Sequence, residues 1–241
     1  MARMPDGPPP PPAVQKLRLK YAKRGRLRFS SHRDFQRALE RALRRAEVPM
    51  AYSAGFRPHP KISFANAAPT GTASEAEYVE ISLSRRCDPA AVRRALDESL
   101  PPGLDVLQVV EAGAGALADR LEASAWVVEL PGTRQEDVEA AVRALLARTE
   151  APVQRLTKNG PRALDARGPV VSLGVRGAIE GELGPVLELV VRHVTPTVRP
   201  AEVLAALEAE GLALPIPPRS TRLRQGPLLD GVVSDPLGVR V

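Results

Sequence analysis

Tyr52, Arg57, His59 and Lys61 lie within ten positions of one another, in the run Tyr52-Ser-Ala-Gly-Phe-Arg-Pro-His-Pro-Lys-Ile-Ser-Phe64. A ring stacks on an exposed base, while guanidinium and ammonium groups bind phosphate oxygens. Gly55 permits a backbone conformation that other residues avoid, and Pro58 and Pro60 stiffen the chain around His59. On this reading Tyr52 and Phe56 are free to stack, Arg57, His59 and Lys61 meet nucleic acid, and Phe64 belongs to the core. The plainer alternative is a core-capping loop with Phe56 and Phe64 both buried. A second chemistry is open to the same residues. A histidine and a lysine beside a scissile phosphate can cleave RNA without metal, using the ribose hydroxyl as nucleophile. His32 or His59, with Tyr52 and Lys61, would carry that reaction.

These side chains need a scaffold, and the hydrophobic pattern supplies one. Residues 16–29 alternate apolar with basic, so Leu17, Leu19 and Tyr21 face inward and Lys16, Arg18 and Lys20 outward. Lys23-Arg24-Gly25 makes a turn or kink, after which Leu27 and Phe29 resume the apolar phase with Arg26 and Arg28 opposite. Ser31 and Asp34 open a helix. Its stripe is Phe35, Ala38, Leu39, Ala42, Leu43 and Ala46, and its other face presents Arg33, Arg37, Arg41, Arg44 and Arg45. Strands follow at 61–68 and 77–83. A helix begins at Asp88-Pro89, and a strand closes the set at 104–110. The order β-α-β-β-α-β over 16–112 is ferredoxin-like: an antiparallel sheet with helices on one face only.

Gly113 and Gly115 mark a boundary, beyond which the element order runs again over 120–225. Strands are expected at 124–130, 153–157, 170–175, 186–192 and 220–223. Thr133 is expected to cap one helix and Arg199-Pro200 to open another. The fold class is therefore α+β, two ferredoxin-like units in tandem, the second elaborated. Residues 1–15, with the proline run Pro8 to Pro12, read as a disordered lead-in. Residues 226–241 read as a loosely held tail.

Charge is concentrated in the first unit. Residues 16–61 hold fourteen Lys and Arg against three acids, whereas 62–241 hold nineteen against twenty-four. A local positive field beside aromatic and proline residues suits a polyanion. The expected surface gathers Arg26, Arg28, His32, Arg37, Arg41, Arg44, Tyr52, Arg57, His59 and Lys61 around the histidine loop. The single cysteine, Cys87, excludes an internal disulfide, and His32, His59 and His193 lack zinc-motif spacing, so no metal or cofactor is expected. No apolar run approaches membrane-spanning length and the N-terminus lacks signal-peptide order, which reads as a soluble, cytoplasmic protein.

Phe29-Ser-Ser-His-Arg-Asp34, Ala42-Leu-Arg-Arg-Ala46, Pro49 to Phe64 and Ser74-Glu-Ala-Glu-Tyr78 resemble the radical SAM-associated proteins, a family of unknown function. The resemblance runs over about 16–235 and is strongest over 27–81. That family usually has Leu, Gln and Asn where Arg33, Ala54 and Arg57 stand. Its domain is fused to, or encoded beside, a radical SAM enzyme, often near ribosomal-protein genes. The resemblance therefore implies such an enzyme as partner and an accessory role in RNA metabolism. One cysteine cannot hold that enzyme's cluster, so the partner would carry any radical chemistry. The expectation is a non-catalytic protein binding structured RNA, tRNA or rRNA. The alternatives are the metal-independent ribonuclease and a pure protein-interaction module.

Overall fold

The computed structural model describes residues 10–158 and 160–238. Most of the expected disordered lead-in, residues 1–9, lies outside them, and residues 10–14 have no regular secondary structure. The chain divides into two compact units, Met1–Asp119 and Arg120–Val241. Both mix helices with antiparallel strands, and the described residues contain four α-helices.

The first unit runs β1 (Gln15–Lys23), α1 (His32–Arg45), β2 (Ile62–Ala65), β3 (Ala73–Leu83), α2 (Pro89–Ser99), β4 (Val106–Glu111). β1 pairs antiparallel with both β3 and β4, and β2 with β3, giving the order β4-β1-β3-β2. The register aligns Leu17, Ile81 and Ile62 in one row and Val109, Leu19, Val79 and Phe64 in another. These rows pack with Leu39 and Leu43 of α1 and Leu96 of α2 in a single apolar cluster. Strand alternation sends the intervening residues to the opposite face.

α1 starts as its sequence requires. The Ser31 hydroxyl accepts from the Asp34 N–H, and the Asp34 carboxylate accepts from the Ser31 N–H, a reciprocal cap. α2 opens on Asp88, whose carboxylate accepts from the N–H groups of Ala90 and Ala91 ahead of Pro89 at the first turn. The strand expected to resume at Leu27 does not form. Gly25 takes φ +52° and Gly25–Phe29 winds into a 3-10 turn, leaving Phe29 61% exposed instead of inward-facing.

The second unit comprises β5 (Ala123–Glu129), α3 (Gln135–Ala147), β6 (Pro152–Thr157), β7 (Gly160–Asp165), β8 (Val170–Arg176), β9 (Val186–Arg192), α4 (Pro200–Ala209) and β10 (Arg219–Gly226). β5, β8, β9 and β10 form the antiparallel order β10-β5-β9-β8, while β6 and β7 make a separate hairpin. Val128, Leu145, Leu189 and Leu207 are central to its core. Thr133 does not cap α3: the N-cap is Arg134, and the Thr133 hydroxyl donates to the Leu130 carbonyl. The segment after Gly226, read as loosely held, pairs Leu228–Leu229 with Val232–Val233 and buries Val233 and Leu237.

Candidate nucleic-acid interface

Arg33, Arg37, Arg41 and Arg44 recur at i, i+4, i+8 and i+11, so at 100° per residue they fall within one side of α1. Phe35, Leu39, Ala42 and Leu43 occupy the other side and are buried. The stripe is about 16 Å long at 1.5 Å per residue. All four arginines are exposed, and none has an ion pair among the described residues. Glu40, the acid nearest in phase, accepts from the Gln36 amide at 2.9 Å. Arg45 turns aside to donate to the Ser99 carbonyl. In the second unit Arg134, Arg143, Arg148, Arg155 and Arg176 each meet a glutamate, while Arg162, Arg192, Arg219 and Arg224 are exposed without an ion pair among the described residues.

The histidine loop is closed at its base. The Lys61 N–H donates to the Ala51 carbonyl at 2.8 Å and the Ser53 N–H to the His59 carbonyl at 2.9 Å. The Ser53 hydroxyl accepts from the His59 N–H and bonds ring Nδ1 at 2.9 Å, which fixes the imidazole against the loop. Gly55 has φ +121°, a value that disfavours any side chain there. Phe56 and Tyr52 are 66% and 38% exposed, so the loop does not bury Phe56, and both rings are available to stack. Arg57 and Lys61 are exposed as well.

Phe64 belongs to the core side. Its ring meets Phe35 edge-on at 5.9 Å and His32 edge-on at 4.6 Å, and Tyr21 stacks on Phe35 at 4.0 Å. His32 is thus held against Phe64. His59 and Lys61 line one depression, and Tyr52 pairs with Pro60 between them. Arg26 and Arg28 sit on the 3-10 turn, where Arg28 lies over the Phe29 ring at 4.9 Å.

The outward-facing cations of β1 and the turn after it are not all solvated. Arg18 is 2% exposed, not an outward solvated cation. Its Nε donates to Glu80 at 3.0 Å and its Nη2 to the Gly115 carbonyl, while Nη1 is buried without a partner. An unmet buried donor of this kind costs about 1–3 kcal/mol. Lys16 reaches the other Glu80 oxygen at 3.3 Å. Lys23 is buried, with Nζ on the carbonyls of Ala68 and Pro69, and Arg24 is neutralised by Glu75 and Asp105. By alternation, Lys16 and Arg18 lie on the sheet face opposite the core that α1 covers, so the α1 stripe and the β1 cations look in opposite directions.

That sheet face has its own relief. Lys16, Arg18, Ser63, Glu80 and the strip Ala112 to Ala118 line a depression of about 430 Å³. A second depression is lined by His59, Lys61, Lys16, Ser63, Glu80 and Ser82. Lys16, Ser63 and Glu80 are common to both. The only signal of this in the sequence was one acid, Glu80, on the strand that pairs with the basic one.

The fold and surface define a mixed α/β protein of antiparallel strands with a free cationic helix face on its first unit. The chain belongs to the family DUF2344, described as an uncharacterized protein conserved in bacteria, which it matches over residues 16–200. No curated protein matches it. Among the described residues no His, Cys, Asp or Glu group is arranged to hold a metal ion, and no helix is long and apolar enough to cross a membrane.

Proposed function

We propose that this protein binds structured RNA, tRNA or rRNA, along the arginine stripe of α1, with the loop from Tyr52 to Lys61 as an auxiliary contact. The observation that carries the reading is the alignment of Arg33, Arg37, Arg41 and Arg44 along one exposed side of a single helix, none of them in an ion pair among the described residues. A guanidinium left without a carboxylate keeps its planar fork for phosphate oxygens. Tyr52 and Phe56 add ring surface for unpaired bases. Arg26, Arg28 and His32 extend the contact through the turn that leads into the helix. The work is done in the cytoplasm, where such RNA resides, and involves no catalysis by this chain.

Each unit is read as ferredoxin-like. This is supported by the order β4-β1-β3-β2 in the first and the equivalent β10-β5-β9-β8 in the second, with β6 and β7 as the elaboration. The resemblance to radical SAM-associated proteins adds a radical SAM enzyme as partner, and co-expression followed by pull-down tests that part separately. The RNA reading is tested by fluorescence anisotropy with tRNA and rRNA fragments, comparing wild type with the Arg37→Glu/Arg41→Glu/Arg44→Glu protein. Loss of binding in the folded triple variant supports it. Undiminished binding rejects it.

A further inference from the structure

The depression on the open face of the first unit is separate from the α1 stripe, and its chemistry points to a different ligand. Glu80 stands at the middle of a row set by strand register, with Arg18 opposite it on β1 and Ser63 opposite it on β2. Its two carboxylate oxygens are taken by Lys16 and Arg18. Two cations against one carboxylate leave one net positive charge, and the guanidinium, 2% exposed, retains an Nη1 with no partner. The chain across this site is Ala112-Gly-Ala-Gly-Ala116, with no side chain beyond a methyl group, so a ligand can approach its backbone closely. The Cβ side of Gly113 and of Gly115 is open space. At about 430 Å³ the depression is in the size range of small-molecule sites, and Ala65 and Leu117 contribute apolar walls beside the charged groups.

We infer that this depression binds the oxyanion group of a small molecule, a phosphate or a carboxylate. The Nη1 of Arg18 and the ammonium of Lys16 donate to the anion, and the Ser63 hydroxyl completes the set. Glu80 orients both cations and sets the preference for a singly charged group, because a second negative charge would lie against its carboxylate. Burial of Arg18 strengthens its contact relative to those on the exposed helix. Because Nη1 is closed to solvent, seating the anion requires the Gly113 to Ala116 strip, which holds Nη2 through the Gly115 carbonyl, to shift.

The test uses the full chain with ¹⁵N-labelled arginine, titrated separately with inorganic phosphate and with acetate, RNA being absent. A saturable shift of the Arg18 guanidinium resonance with either anion, weakened about tenfold by Lys16→Met and also weakened by Ser63→Ala, supports the site. The anion that saturates identifies the group recognised. Both variants replace side chains at the surface, so the fold survives and the comparison stands. Shifts that stay linear with both anions overturn the proposal and leave Nη1 to a water molecule. A saturable shift unaffected by either variant overturns it as well.

Discussion

Arg18 and Arg41 carry the same side chain and have opposite fates. Arg41 projects from a helix into solvent, and Arg41→Ala should change stability by no more than about 0.5 kcal/mol. Arg18 is buried against Glu80, so Glu80→Ala, which strands the guanidinium, should cost about 3 kcal/mol in urea denaturation. Alternation along 16–21 correctly gave the side of the sheet on which Arg18 lies. It could not say whether that side is covered, because period-two patterning records direction and not what arrives above the residue from elsewhere in the chain. Glu182 offers a second test at this scale. Its hydrogen bonds from Arg176 and from the Ile179 N–H hold its carboxyl down to about 2. The pair's contribution is complete above the ordinary glutamate value and is lost as pH falls through about 2. A carboxyl ¹³C titration should show this, with Arg176→Gln returning the midpoint toward the normal range.

Helix α1 was legible as an element because its local signals agreed, the reciprocal cap and the apolar stripe; it ends at Arg45, just before Glu47 turns to φ +51°. Ser31→Ala should therefore cost about 1 kcal/mol, and Leu39→Asp should prevent stable packing of the helix, both measurable by circular dichroism through a denaturant series. The stretch Gly25–Phe29 was not legible. Leu27 and Phe29 fit the period of a strand, but the positive φ of Gly25 and the Leu27 N–H bond to the Arg24 carbonyl wind the chain instead. At the start of β5 the structure assembles a polar network that no spacing announced. His193 donates from Nδ1 to the Leu121 carbonyl at 2.7 Å, while its Nε2 meets the Ser124 hydroxyl, which also accepts from Trp126 Nε1–H. Burial, the larger influence, lowers the imidazole's pKa, the Leu121 contact opposes this, and the charge of Arg222 lowers it further. The folded value lies below the unfolded one, so the stability from neutral His193 is complete above about pH 6.5 and drains away as pH falls through the folded value. Urea midpoints at about pH 7.5 and about pH 5.5 should differ for wild type and differ less for His193→Gln.

Across the whole molecule, the sequence reported the imbalance of charge but not its layout. Of the fourteen basic residues in that stretch, Arg33, Arg37, Arg41 and Arg44 form a solvent-facing stripe on α1, Lys16 and Arg18 are tethered to Glu80 on the sheet's other face, and Lys23 and Arg24 are satisfied locally at the end of β1 and just past it. The stripe keeps the electrostatic reach that a polyanion needs, and the RNA reading now rests on it rather than on the total. The histidine loop retains its exposed rings, yet its imidazole and ammonium belong with the sheet-face depression as much as with the helix. The most direct measurement of the central claim is the salt dependence of RNA affinity for wild type and for single Arg37→Ala, Arg41→Ala and Arg44→Ala proteins. Each substitution should lower the slope of log affinity against log salt by about 0.7–0.9, in line with one lost phosphate contact. Slopes that remain at the wild-type value in all three would contradict the account.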